Sequence, residues 1–580
     1  MKSGKAVKPK RSATIAVQAA PGPKSHFWRY ALGCLIAFCA VYQVYSPALN
    51  GPFLLDDTSQ PYMLPNFYVL PINDWIRGVR PLLMVTFWMN FKISGNETTF
   101  GYHVVNVVLH VFDGALIYLA VRKMLGMVNA EKAAQEILAA FGAGLFLLHP
   151  IQTESVSYVA DRGETLSLFF MLGAYVVFLY RKSASVGVGT AVTILILFGA
   201  AVLTKEHTAV FPALLLLTDY YWNPGFSFQG MRRNWKLYVP ILIGGIAGVA
   251  FVFRVLSESR SAGFALKDAT WYQYFFTECR VIWDYLRMFL LPFGQNLDYD
   301  FPFSRGVLDH GAIFGLAGLL AVSALAWIYR REFKLASFGW FTFLLLLAPT
   351  SSFVPIQDPI AERRMYLPFI GLLFITVDFL RRWKTGRTTL IAALSLVVLA
   401  EGAVAYQRNA IWGRAVDIWN DAASKSPKKL RPRFQLAYAY FQEQKCGEAV
   451  QEYAKAAALA PPNYDRQYDL LLDWALAYDC AGKPDEAIAK LKEAAAVTRS
   501  AHVYSQIGME YAKQKDFPEA LEALATAQQL DPNWGMTYFY RGGIYELEHN
   551  VAAAAQEYRH ALQVDPYNQP AREGLTRLGQ

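Results

Sequence analysis

Between residues 28 and 408 the chain is built of long apolar runs separated by short loops, and the charged residues collect in those loops. No soluble fold calls for so many uninterrupted apolar segments. A bilayer does, because a spanning helix takes about 20 mostly apolar residues, and fewer where neighbours shelter it. Eleven runs can be delimited, at roughly 28–46, 103–122, 135–149, 163–180, 187–204, 208–222, 237–256, 310–329, 336–349, 365–380 and 387–407. A further stretch, 271–291, carries Glu278, Arg280, Asp284 and Arg287 among its aromatics. Four ionisable groups in hydrocarbon would be expensive, so this stretch is expected to lie as an amphipathic helix at the interface.

The charge pattern orients these runs. Of the 580 residues 54% are apolar and only 17% charged, and the net charge of +9 is dispersed in short clusters beside the apolar runs. That excludes a disordered chain and speaks against a nucleic-acid face. Five cysteines without CxxC or Cys/His spacing speak against a zinc module. The N-terminal tail, 1–27, holds Lys2, Lys5, Lys8, Lys10, Arg11 and Lys24 and is expected to be cytoplasmic, followed by an anchor rather than a cleaved signal. With eleven crossings, Arg122/Lys123, Arg181/Lys182, Arg232/Arg233, Arg330/Arg331 and Arg381/Arg382 then all fall on the tail's side. If 271–291 also crossed, the last two clusters would change sides.

The opposite face receives a different set: Asp56, Asp57, Arg80, His149, Glu154, Asp161, Arg162, Glu164, Lys205, Glu206, His207, Glu258, Arg260, Glu362, Arg363 and Arg364. Mixed acids, bases and histidines at the ends of apolar helices are where a membrane-embedded site would be built. The plainer alternative is that each is a solvated loop residue.

From about residue 409 the runs give way to a polar helical pattern with a period of 34 residues. The unit from Gly535 reads Tyr538, Gly542, Tyr545, Ala554, Tyr558, Ala561, Pro566. The unit from Ala501 reads Tyr504, Gly508, Tyr511, Ala520, Leu524, Ala527, Pro532. A third unit starts at Leu430 and a weaker one at Tyr468. Small residues at fixed positions and a closing proline are the mark of tetratricopeptide repeats. Counting back from Leu430 reaches Leu396, followed by Ala403, Tyr406, Ala415, Trp419, Ala422 and Pro427, so the last apolar run doubles as the first helix of a further unit. The array is therefore expected to join the bundle without a flexible linker, and to bind a protein or peptide on its concave side. Cys446 and Cys480 fall near turns of neighbouring repeats. In an oxidising compartment they could pair, but they are read here as two free buried thiols, and Cys34, Cys39 and Cys279 as packing residues.

Several short motifs follow in order: Gly51-Pro-Phe-Leu-Leu-Asp56-Asp57; Arg80-Pro-Leu-Leu; Gly101-Tyr-His-Val-Val-Asn106; His149-Pro-Ile-Gln-Thr-Glu154; Asp161-Arg162; Thr204-Lys205-Glu206-His207; Asn296-Leu-Asp298-Tyr299; and Ala361-Glu362-Arg363-Arg364-Met-Tyr366. This series, with the repeats behind it, resembles the transmembrane and tetratricopeptide-repeat O-mannosyltransferases and their bacterial relatives in the GT-C class of glycosyltransferases, from about residue 45 to the end. The resemblance implies an all-α architecture: a polytopic bundle over 28–408, with a first outer loop at 47–102, and an α-solenoid over 409–580 on the outer face.

The resemblance also implies transfer of a sugar from a polyprenyl-phosphate donor to Ser/Thr hydroxyls of a protein acceptor. Asp56 or Asp57 would be the general base, with Asp57 ranked slightly ahead. Arg363, Lys205, Arg364, Arg260 and Arg162 are candidates for the donor lipid phosphate. Glu154, Glu206, Glu362, His149 and Arg80 are candidates for positioning sugar or acceptor. His149 before Pro150 also reads as a helix cap. The paired acids invite a divalent cation, Mg or Mn, although a monophosphate donor needs one less than a diphosphate does. The expected setting is a bacterial inner membrane with the repeats in the periplasm, secreted or surface proteins as acceptors, membrane lipid as partner and no nucleic acid. Two other readings stay open: a non-catalytic repeat scaffold in the membrane, and a polymerase or ligase of lipid-linked glycan.

Overall fold

The computed structural model describes residues 27–64, 70–258, 262–264, 266 and 269–580. The basic tail and Arg260 lie outside the described residues, and of Glu258 only the backbone is described. Among the described residues there are no β-strands, only an isolated bridge between Ala262 and Ile356. The chain is all-α.

Every one of the eleven apolar runs forms a helix. Among the described residues, five helical segments are long and apolar enough to cross a membrane unaided: Tyr30–Ala48, Phe100–Met127, Val159–Leu179, Asp309–Ile328 and Arg387–Trp412. A sixth crossing arises if Lys132–Leu148 and Pro150–Ser157, bent by 51° at His149, are one span. Val188–Thr204, Lys334–Leu347 and Phe369–Leu380 are apolar but shorter. Eleven helices are therefore present, while length and composition qualify five or six of them as crossings. Large apolar side chains stay exposed on the outer surfaces of these helices, among them Ile36, Ile196, Leu242, Phe314 and Leu399. Such a belt needs lipid, not water, around it. The Trp271–Leu290 helix is not apolar enough to qualify. It buries Tyr274, Glu278, Val281, Ile282, Tyr285 and Met288, a stripe at helical spacing, and exposes Trp271 and Trp283.

The helices end where the sequence forces them to. His149 is extended (φ −73°, ψ 129°) because Pro150 follows it, and a residue before proline is driven out of the helical region. Lys205 (φ −155°) and Ala361 (φ −153°) are also extended, each opening onto a tight 3-10 turn. These breaks deliver Glu154, Lys205, Glu206 and Arg363 to the same region.

Paired helices Leu430–Gln442 with Cys446–Leu459, Gln467–Cys480 with Pro484–Val497, Ala501–Lys513 with Phe517–Leu530, and Gly535–Leu547 with Val551–Val564 form the repeat array. The small residues are sterically required: a Cβ at Gly508 would stand 2.7 Å from Leu524, and one at Gly542 2.7 Å from the Tyr558 ring. Only Gly413 and Arg414 separate the Arg387–Trp412 helix from Ala415–Lys425. The joint is locked further by ions. Arg431 clamps Asp298 with two bonds of 2.5 Å and reaches Asp358 at 2.9 Å, and Lys429 reaches the same two acids. Cys446 and Cys480 form a disulfide (Cα–Cα 5.6 Å), not the free thiols expected, because 34 residues is one repeat and places them side by side. Cys279 is buried, whereas Cys34 and Cys39 are exposed on the apolar exterior.

Candidate active site

Asp56 and Asp57 sit in the 3-10 turn Leu55–Ser59. Leu55 opens it at φ 43°, a left-handed conformation that a branched side chain adopts only when its surroundings impose it. Asp57 is 1% exposed. Its Oδ2 accepts the Leu54 N–H at 2.9 Å and its Oδ1 accepts the Tyr62 hydroxyl at 3.1 Å. Burial pushes this carboxyl up to about 7 in spite of those bonds. Asp56 is the opposite case. It is exposed, and its carboxylate makes no hydrogen bond or ion pair among the described residues. Its backbone N–H donates to the Tyr158 hydroxyl at 2.7 Å.

Tyr158, which the sequence did not single out, links the two halves of the site. Burial raises its hydroxyl well above the ordinary range, and the charges of Asp57, Asp56, Asp161 and Arg363 all act on it. Its only sequence signal is a polar-tipped aromatic three residues before Asp161. Beyond it runs a chain of ions. Glu154 holds Arg363 twice, by the guanidinium and by the Arg363 N–H at 3.0 Å. Asp161 stands 3.8 Å from both Arg363 Nε and Lys205 Nζ. Lys205 bonds Glu164 at 2.7 Å, and His207 meets the other Glu164 oxygen at 3.4 Å. Arg80 grips Glu206 with both ends of its fork, at 2.6 and 3.0 Å. Burial acts to raise Glu206, but this fork holds it down at about 2. The Arg363 side chain keeps 27% of its surface exposed, so the cluster has a cationic edge open to a ligand.

Other expected residues lie elsewhere. Arg162 has no exposed surface. Its guanidinium donates to Asn106, Asn90 and the Tyr102 and Thr86 carbonyls, and covers the Phe87 ring at 4.3 Å. It pins the outer loop to the bundle and is closed to a phosphate. Arg364 turns away from Arg363 and donates to the Pro359 and Asp358 carbonyls and the Tyr274 hydroxyl. His149 is the helix cap: Nδ1 accepts the Ile151 N–H and Nε2 bonds the Phe289 carbonyl. Glu362 is buried, accepts the Asn296 N–H, Tyr299 hydroxyl and Gln295 amide, and is pushed up to about 7 by that burial. It fixes the 295–299 loop, on which Asn296 bonds Ser426 of the repeat array at 2.8 Å. Among the described residues no group of three or more His, Cys, Asp or Glu is placed to hold a metal ion.

Comparison with known proteins gives the following similarities. A tetratricopeptide-repeat model matches residues 501–534. A Caenorhabditis elegans protein O-mannosyl-transferase is 22% identical over 449 residues, covering 72% of this chain and 61% of its own. The human protein O-mannosyl-transferase TMTC4 is 26% identical over 428 residues, covering 63% of this chain and 56% of its own. The chain thus spans little more than half the length of these relatives. A solved thermophilic repeat protein of Thermus thermophilus covers 32% of this chain and 95% of its own at 18% identity, with a TM-score of 0.25. Over most of its length, then, this chain of apolar helices and tetratricopeptide repeats is similar to protein O-mannosyl-transferases.

Proposed function

We propose that the protein is a membrane glycosyltransferase that moves a sugar, mannose by analogy with its relatives, from a polyprenyl phosphate to a Ser or Thr hydroxyl of a protein. The observation that carries this reading is Tyr158, whose hydroxyl accepts the N–H of the exposed Asp56 and which lies on the segment between Glu154 and Asp161. A hydroxyl is a weak nucleophile and needs a base within hydrogen-bond reach. Burial of Asp57 behind Tyr62 moves that role to Asp56. Asp56 takes the acceptor proton, the acceptor oxygen bonds the sugar C1 from the face opposite the phosphate, and the C1–O bond to phosphate breaks. The charge released stays on the polyprenyl phosphate, and the open edge of Arg363, with Lys205 behind it, offsets that charge. Inversion at C1 follows from the single displacement. Arg80, Glu206 and Glu164 keep the cations in place.

The repeat array would gather the acceptor or a partner and, through Arg431 and Asp298, present it at a fixed orientation. The Cys446–Cys480 disulfide favours an oxidising side for the array, in keeping with a periplasmic face of a bacterial inner membrane and a cytoplasmic tail. The test is glycopeptide mass analysis of surface proteins from cells carrying the wild-type chain or Asp56→Asn. Loss of a hexose from Ser/Thr in the variant is expected. Unchanged modification would leave the scaffold reading. Change confined to lipid-linked glycan would leave the polymerase reading.

A further inference from the structure

A second site lies at the other end of the bundle. The Phe100–Met127, Lys132–Leu148 and Arg162–Leu179 helices all run between the acid–base cluster and one remote corner. From Tyr102, which bonds Arg162, to Lys123 the helix rises roughly 30 Å, about the thickness of the hydrocarbon core. At that corner is a cavity of about 340 Å³ lined by Arg122, Lys123, Gly126, Met127, Gln135 and Tyr180.

The polar groups there are arranged as a receptor for an anion. Lys123 meets no carboxylate among the described residues; its ammonium lies 5.1 Å from the Tyr180 ring centroid. Arg122 spends its Nε on Glu136 at 2.6 Å, also bonds the Tyr180 hydroxyl, and lines the wall. Tyr180 bonds the Leu119 carbonyl at 3.0 Å, which fixes its ring at the rim. Gly126 keeps the space open: a Cβ there would stand 3.3 Å from the Gln135 amide oxygen. Lys182 follows in the next loop, and the exposed Tyr30 ring meets Tyr118, one turn before Arg122. Basic groups in a cavity between helix ends, with aromatics around them, suit the phosphate of a lipid headgroup at the membrane surface.

We infer that this cavity binds a phosphate group, supplied by an anionic phospholipid of the leaflet opposite the glycosyl-transfer site. The test uses the full chain in detergent doped with phosphatidylglycerol or phosphatidylcholine, with retained lipid counted by native mass spectrometry. The wild type is expected to favour phosphatidylglycerol by about fivefold, the worth of one well-placed cation near the surface. Lys123→Gln, and separately Gly126→Leu, which fills the space without removing charge, should each abolish the preference. Lys182→Gln, an exposed lysine outside the cavity, should keep it. Excess glycerol phosphate that displaces the lipid would assign the cavity to a soluble phosphate ester instead. Equal retention of the two lipids by the wild type, or an undiminished preference in both cavity variants, overturns the inference.

Discussion

The Asp56 backbone N–H donates to the Tyr158 hydroxyl at 2.7 Å, across 102 residues of sequence. That single bond ties the turn holding the exposed acid to the helix break carrying Glu154 and Asp161. Tyr158→Phe removes the acceptor and leaves the ring in its apolar pocket. Turnover should fall about tenfold or more, since small misplacements of a reacting group are costly. The acceptor KM and the thermal midpoint should change little. An unaltered kcat would rule out this positioning role.

The two aspartates should separate by experiment. Asp56→Asn is expected to cost about 10²–10⁴ in transfer rate, the usual worth of a general base, with no loss of stability. Asp57→Asn places an amide against the Leu54 N–H and the Tyr62 hydroxyl and should disturb the turn itself. Thermal unfolding and sugar transfer measured on both variants tell the roles apart.

Asp57 also predicts a pH dependence of stability. Its carboxyl rises from 3.8 to about 7 on folding, so the folded state holds the proton more tightly. The associated stabilisation is fully present below pH 3.8 and is lost as pH rises through about 7. The wild type should lose stability over that window relative to Asp57→Asn, which has no proton to lose there. Parallel unfolding curves for the two proteins between about pH 5 and 8 would contradict the assignment.

Arg363→Gln strips Glu154, 2% exposed at its side chain, of its cation. Breaking a buried pair in this way costs about 3–5 kcal/mol, and transfer should be lost with it. Arg363→Lys keeps the charge but not the planar guanidinium that reaches both Glu154 and Asp161, so partial activity with a raised donor KM is expected. Donor titrations on detergent-solubilised protein check this.

At the junction, Asp298→Asn takes the carboxylate from Arg431 and Lys429. Leaving such groups unpaired costs about 1–3 kcal/mol, at the low end here because Arg431 is 36% exposed and retains Asp358. Limited proteolysis should cut sooner between bundle and array, and acceptor use should fall more than donor binding.

Local chemistry accounts for what could be read along the chain. Apolar runs of the right length made helices at all eleven places, because burial of an apolar stretch is decided within the stretch. The 34-residue period was legible for the same reason: Gly508 and Gly542 must be small for their own paired helices to touch. The charged motifs were visible as short motifs at helix ends, but which of them meet was not. Glu206 pairs with Arg80 across 126 residues, and Arg363 with Glu154 across 209. Arg162 and Arg364 are arginines of the same kind as Arg363, yet Asn106 and Asn90 from distant segments occupy Arg162, and the nearby Pro359 and Asp358 carbonyls occupy Arg364, with Glu278 3.8 Å away. Asp56 and Asp57 are adjacent and alike, and only the packing of Tyr62 and Tyr158 buries one and leaves the other open. The sequence alone determined which segments become apolar helices and where the repeats fall, since each depends on periodicity and composition. The tertiary structure alone decided which charge meets which, because an ion pair depends on the distance between side chains that no local pattern records.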